Sequence, residues 1–356
     1  MEKINYINFS AKLIRFKILL VPALSVLILI FFIFLLSDTP LKTMYFFFFG
    51  PFRNIFNFGN MINASIPYIF GALGIIIAIR AGSLNLGGEG QVYLGAFITV
   101  ITALALPGMG AAGAFIAVLA GALSSGALCA FSGFCKARWN TNELLTTFLL
   151  SCAVIPVVNY FVTGSFLDPL TSLLSTKKID IYMRLPLILK PSALSAGLFI
   201  SFIFVFLVYY FLNKTRTGYE ITITGKNEMF ARYGGINTKF NIALSMALSG
   251  FMYGLAGGTA VLGTHYAVIK EFSSGLGWSG LTVALIARFS PAAVIPCAFF
   301  LAWINAGSRA AMQNTGFTFE VAYIIQAFIF MFSAGLLVTN TIKIFSQGNV
   351  SRTGKK

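Results

Sequence analysis

Arg80-Ala81-Gly82-Ser83-Leu84-Asn85-Leu86-Gly87-Gly88-Glu89-Gly90-Gln91 joins two long apolar runs and carries four glycines, two side-chain amides and a carboxylate. No polar loop surrounds it. Glycine-rich backbone at bilayer depth is tolerated only where it is buried in protein or lines a wet cavity. A carboxylate such as Glu89 costs roughly 2.5 kcal/mol or more against lipid, so it must face protein or water. Broken helices of this kind build binding sites in transporters. The same residues also suit a tight turn at the cytoplasmic surface, with Glu89 capping the following helix or pairing with Arg80.

Outward from this stretch, the 356-residue chain is 58% hydrophobic and only 10% charged. A soluble domain carries about 25% charged residues. A membrane helix needs roughly 20 apolar residues, and such runs recur from end to end. The reading is an all-α polytopic transmembrane bundle of about ten spans, near 18–37, 61–79, 91–106, 111–135, 143–163, 192–212, 242–262, 276–288, 291–310 and 320–338. The eighth is too short for a straight crossing unless it is broken or extended into its flanks. Residues 41–60, with Phe46 to Phe49 and Pro51, read as interfacial. Lys12, Arg15 and Lys17 precede an apolar run from Ile18 to Leu36 with no small-x-small cleavage site after it, so this reads as an uncleaved first span.

The net charge of +15 does not point to nucleic acid, because Lys and Arg sit between apolar runs rather than along a stripe. With the N-terminus inside, only Lys42, Arg53, Lys177, Lys178, Arg184, Lys190, Lys270 and Arg309 fall outside, leaving 17 of the 25 basic residues in cytoplasmic segments. That bias favours both termini in the cytoplasm and an even number of spans, and the chain reads as a multi-pass protein of the cytoplasmic (inner) membrane. Residues 1–17 form a cytoplasmic tail, 18–338 the membrane domain and 339–356 a basic cytoplasmic tail. Cys129, Cys135, Cys152 and Cys297 lie in or beside apolar segments without metal-ligand spacing, and His265 is the single histidine. The chain therefore offers no metal site and no cofactor site of its own.

Two further stretches depart from plain apolar helix. Residues 213–241 form the longest internal polar stretch, and Glu228 to Tyr233, flanked by Gly225 and Gly234-Gly235, read as a small surface helix on the cytoplasmic face. An ordinary inter-span loop is the simpler alternative. From 257 to 326, Trp278, Ser279, Asn305, Gln313 and Gln326 add polar groups to apolar spans, most simply as interhelical hydrogen bonds. Gly82-x4-Gly87 and Gly275-x4-Gly280 also fit an internal repeat.

At these residues the chain resembles ABC permeases for simple sugars and nucleosides, within the ribose and branched-chain amino acid permease superfamily. The resemblance rests on 80–91, on Asn142-Glu143-Leu144-Leu145-Thr146-Thr147, on Gly225 to Asn237, on Ala247 to Gly258, and on Gly277 to Ala284. It spans roughly 60–340. Leu86 and Gly88 depart from the family's usual Ile and Ala, and Phe230 and Gly234 stand where Ala is usual.

The resemblance implies a permease paired with a second, homologous permease, a cytosolic ABC ATPase and an extracytoplasmic substrate-binding lipoprotein. It implies import of a small polar solute, a nucleoside first and a simple sugar next. ATP would be bound and hydrolysed by the partner, since the chain has no G-x-x-x-x-G-K-S/T loop. Gly225, Asn227, Glu228, Ala231, Arg232, Tyr233, Gly235 and Ile236 would couple to the ATPase. Asn85, Glu89, Gln91, Asn142, Glu143 and Trp278 would line or frame the solute pathway. A self-contained secondary transporter or channel explains the spans but not the 227–237 stretch. A membrane-embedded enzyme wants clustered acidic or histidine residues, and only ten Asp and Glu occur in the whole chain.

Overall fold

The computed structural model describes residues 37–315 and, toward the ends, 23–24, 26–35, 323–324, 326–328 and 331–332. Both expected tails lie outside the described residues. Among the described residues seven helical runs are long and apolar enough to cross a bilayer: Ile55–Arg80 (α3), Gly88–Ala105 (α4), Gly110–Trp139 (α5), Glu143–Thr163 (α6), Gly197–Lys214 (α7), Thr238–His265 and Pro291–Thr315. The sixth of these is an α-helix, Thr238–Ala260 (α10), continued by one π-turn to His265. The last is led by a 3₁₀ turn into Val294–Thr315 (α12).

Shorter helices are Val26–Leu35 (α1), Pro40–Phe49 (α2), Arg216–Lys226 (α8), Glu228–Tyr233 (α9) and Leu276–Ile286 (α11). Of the ten expected spans, 18–37 is represented by α1, 276–288 contributes the 11-residue α11, and 320–338 lies mostly outside the described residues. The polar side chain that closes each of several helix starts is readable in the sequence. Asn54, Asn142, Thr215, Asn227 and Asn237 each accept a hydrogen bond from a backbone N–H in the first turn of α3, α6, α8, α9 and α10.

Two compact units divide the chain, one made of Met1–Gly50 with Gly307–Lys356, the other of Pro51–Ala306. In the first, the Thr43 hydroxyl donates to Thr315 at 3.1 Å, and Gly307 lets its helix close on Phe47.

The second unit holds the core. Helix α3 is buried along most of its length, with Ile69, Phe70, Leu73, Ile75 and Ile76 inaccessible to solvent. Helices α10, α11 and α7 pack against it, and α4 and α5 pack on α10 and on each other, whereas α6 and the outer face of α7 leave Leu145, Leu149, Phe199 and Phe206 exposed for lipid or for another chain. The central helices pack through small residues, since apolar lipid supplies no hydrophobic drive to association and close backbone contact must do so. A side-chain carbon on Gly254 would fall 2.6 Å from the Ala122 Cα and 2.8 Å from the Gly121 carbonyl oxygen.

At the end of the unit remote from α8 and α9, the long 164–191 connection is stitched to the end of α10. Thr176 N–H donates to Val268 O at 2.9 Å, Lys270 N–H to Leu174 O at 2.8 Å, and Leu185 N–H to Leu262 O at 2.9 Å. Strands Leu187–Leu189 (β1) and Leu194–Ser195 (β2) then form a short antiparallel hairpin leading into α7.

Gly254→Val overpacks this contact and is expected to lower the free energy of unfolding by about 1–3 kcal/mol, whereas Ala127→Val, on the exposed face of α5, leaves it unchanged. Thermal unfolding of the purified protein in detergent reads both.

Candidate functional site

The break between α3 and α4 is real and reaches the middle of the bundle. After Arg80 the chain turns through Gly82, at φ 71°, and runs without helix to Gly87. Helix α4 then starts against the ring of Tyr253, where a side-chain carbon on Gly88 would lie 2.5 Å from Cζ. Tyr253 stands near the centre of the 28-residue run Thr238–His265, about 22 Å along it at 1.5 Å per residue. The first turn of α4 is therefore at mid-depth.

A second helix starts at the same place from the other side. Beyond the π-turn of α10 the chain re-enters the unit as an irregular segment. Glu271 N–H donates to the Tyr93 hydroxyl at 3.2 Å, and the segment reaches Gly275 in the left-handed region at φ 82°. Helix α11 begins there. The Glu89 carboxylate joins the two starts: one oxygen accepts from Gly275 N–H and the other from Gly277 N–H, each at 2.9 Å. Tyr253 completes the junction by donating to the Gly277 carbonyl at 3.3 Å.

Glu89 thus lies in the first turn of its own helix and caps another helix, 186 residues away in sequence, rather than pairing with Arg80. Its negative charge faces two helix N-termini, where unpaired N–H groups and the helix dipole both favour it. The short eighth span finds its reason here, because eleven residues, about 16 Å, suffice to run from mid-depth to one membrane face.

The two buried amides lock the break from behind. Asn85 Nδ2 donates to Gln91 Oε1 at 2.7 Å and to Ser249 Oγ at 3.0 Å, while Gln91 Nε2 returns a bond to Asn85 Oδ1 at 3.1 Å. Asn85 Oδ1 also accepts from Gly87 N–H at 2.9 Å. Both side chains are 1% exposed, and their polar atoms are engaged with one another and with the frame.

Asn142 caps α6 through Leu144 N–H at 2.9 Å. Glu143 pairs with Lys136 at 2.7 Å, and that same ammonium donates to the Gly82 carbonyl at 3.0 Å and to Ser83 Oγ at 2.9 Å. Trp278, in the first turn of α11, is 43% exposed.

The 213–241 stretch folds as the pair α8 and α9. Glu228–Tyr233 is helical over the residues expected. Asn227 caps it by accepting from Phe230 N–H at 3.0 Å, and a turn closes it in which Ile236 N–H donates to Ala231 O, with Gly235 at φ 77°. Ala231 is buried beneath the helix, while Met229, Phe230 and Tyr233 are 65%, 64% and 87% exposed.

Arg232 is committed within the chain, to Glu228 at 2.5 Å and to the Thr238 hydroxyl at 3.2 Å, and so braces α9 against the start of α10. Gly225, at the end of α8, packs directly on the 80–82 turn: a side-chain carbon there would sit 2.5 Å from Gly82 N and 2.7 Å from the Ala81 carbonyl carbon. The surface helix and the broken helix are thus in backbone contact.

Sequence reasoning missed several members of this site. In the sequence Lys136 is only one of the 17 basic residues of the cytoplasmic segments, and no cue there marks α8 as a helix. Tyr93, Asn159 and Glu271 escaped altogether, although Asn159 is an isolated amide inside the apolar run Val157-Val158-Asn159-Tyr160-Phe161, a departure the sequence displays. Among the described residues no three His, Cys, Asp or Glu come together as metal ligands.

Residues 57–334 match the family described as the permease component of branched-chain amino acid transport systems. A probable riboflavin import permease of Treponema pallidum is 32% identical over 298 residues, covering 83% of this chain and 79% of that protein. A guanosine ABC transporter permease of Bacillus subtilis is 29% identical, covering 80% and 83%. A glucose ABC transporter permease of Haloferax volcanii is 25% identical, covering 78% and 76%. No solved structure matches the chain.

Glu89→Gln leaves one acceptor oxygen for two N–H donors and sets an amide N–H₂ against the other. The orphaned backbone donor is expected to cost about 1–3 kcal/mol, read as a lower thermal midpoint than that of the wild type.

Proposed function

This chain belongs to the family of permease components of branched-chain amino acid transport systems, and we propose that within it the solute is a nucleoside or a similar heterocycle carrying a sugar or sugar alcohol. The chain is the membrane-spanning permease subunit of an ABC importer. It is a multi-pass protein of the cytoplasmic membrane and is not itself an enzyme, because separate ATPase subunits hydrolyse the ATP. An ATPase and a substrate-binding protein are its partners.

The finer parts of the proposal are that a second, homologous permease completes the pore and that the binding protein is a lipoprotein on the outer face. The chain itself would hold neither ATP nor any other cofactor. The solute assignment leans on the named solutes of the relatives. Riboflavin and guanosine each join a flat nitrogen heterocycle to a five-carbon polyol or sugar.

One observation carries the mechanism. Helix α9 exposes Met229, Phe230 and Tyr233 on an otherwise charged loop, an apolar face that a groove on the ATPase would cover. Its neighbour α8 touches the 80–82 turn through Gly225. Closure of the nucleotide sites would push α9, and backbone contact would carry the push to the broken helix, rocking α4 against α11. A secondary transporter has no use for this exposed helix.

The test is ATP-driven uptake of labelled guanosine into vesicles holding the complete transporter. Tyr233→Asp and Gly235→Val are each expected to reduce uptake at least tenfold while the protein still inserts in the membrane, and unlabelled riboflavin or guanosine should compete where free ribose does not. Full uptake by both variants contradicts the coupling role. Competition by ribose alone contradicts the solute class.

A further inference from the structure

Away from the Glu89 junction, three polar groups from three elements close a ring on the exposed side of the unit. The Tyr93 hydroxyl donates to Asn159 Oδ1 at 2.6 Å, Asn159 Nδ2 faces Glu271 Oε1 at 3.4 Å, and Glu271 N–H donates back to the Tyr93 oxygen at 3.2 Å. The ring is anchored, because the Tyr93 side chain is fully buried and packs against Phe272 at 5.8 Å between centroids.

Glu271 is nevertheless exposed and occupies the left-handed region at φ 58°, which a non-glycine residue adopts only when its surroundings impose it. Among the described residues its carboxylate takes part in none of the ion pairs.

The position is inside the membrane span. Tyr93 stands five residues beyond the mid-depth start of α4, and Asn159 stands four residues before the end of α6 at Thr163. A carboxylate held open at that depth cannot face lipid, so its face must be wet. Ser274, on the same turn, donates its hydroxyl to the Glu271 carbonyl at 2.6 Å, and the exposed Trp278 follows in the first turn of α11. An acceptor-only carboxylate prepositioned beside an amide suits a neutral donor-rich ligand and repels anions.

We propose that the Tyr93–Asn159–Glu271 ring is a solute subsite in the outer half of the pathway, in which the Glu271 carboxylate accepts the two hydroxyls of a vicinal diol. The inference rests on the importer reading above and assigns to this site the sugar portion of the solute rather than its ring. Riboflavin, guanosine and glucose, the solutes named for the relatives, all carry such a diol. Asn159 orients the carboxylate, and Tyr93 fixes Asn159.

The experiment compares uptake of guanosine with that of its 2′,3′-dideoxy analogue by the complete transporter, using one and the same binding protein throughout. The wild type is expected to prefer guanosine. Glu271→Gln, which keeps the size of the side chain and its contact with Asn159, should shrink that preference at least tenfold. Glu271→Ala should do the same, with the thermal midpoint of the protein unchanged.

An unaltered preference in both variants overturns the subsite, as does a parallel loss of both solutes together with a lower midpoint, since a purely structural ring would lower both alike. If the wild type takes up neither guanosine nor riboflavin, the importer's solute class is wrong and the subsite falls with it.

Discussion

A single carboxylate between two helix starts organises this membrane unit. Helices α4 and α11 approach from opposite ends of the bundle and both begin at mid-depth, where each leaves backbone N–H groups without helical acceptors. Lipid offers those donors nothing, and an unsatisfied amide there is costly. Glu89 answers the donors of α11 with both oxygens while lying in the first turn of α4. Without that acceptor neither the re-entry of 266–275 nor the shortness of α11 could be sustained in a bilayer. Two opposed half-helices meeting at the centre are also the arrangement in which a modest tilt opens one side and closes the other.

The junction is wired toward the α8–α9 end by contacts too close to be slack. The buried Asn85–Gln91 pair and Ser249 fix the extended 81–87 chain to α10. Lys136 fixes its beginning to α5 and α6 through Gly82, Ser83 and Glu143. Gly225 of α8 rests on the same turn at a separation no side chain would permit. Motion of the surface helices cannot be absorbed by compliant side chains at that point, because backbone meets backbone. In the proposed mechanism force enters at the exposed apolar face of α9, formed by Met229, Phe230 and Tyr233.

Much of this was legible in the sequence, and the reason it was legible is local. The helix Glu228–Tyr233 announced itself through short helix formers flanked by Gly225 and the Gly234-Gly235 pair, and the 80–91 break through its glycines. Signals of that sort are complete within a dozen residues. The partners of Glu89 were not legible, because two backbone N–H groups at Gly275 and Gly277 carry no side-chain signature. Nor was the depth of α11, which follows from its packing against Gly88 and Glu89 rather than from its own eleven residues. The Tyr93–Asn159–Glu271 ring joins positions 66 and 112 residues apart, and only the isolated Asn159 hinted at it.

In the proposed mechanism α9 is the cytoplasmic handle held by the ATPase. In a chain whose Cys129, Cys135, Cys152 and Cys297 are replaced by alanine, Met229→Cys can be labelled with a membrane-impermeant maleimide in sealed vesicles of each orientation. The expected result is labelling from the cytoplasmic side only, with protection once the ATPase subunits are bound. Labelling from the outer side, or equal labelling with and without the ATPase, would contradict it.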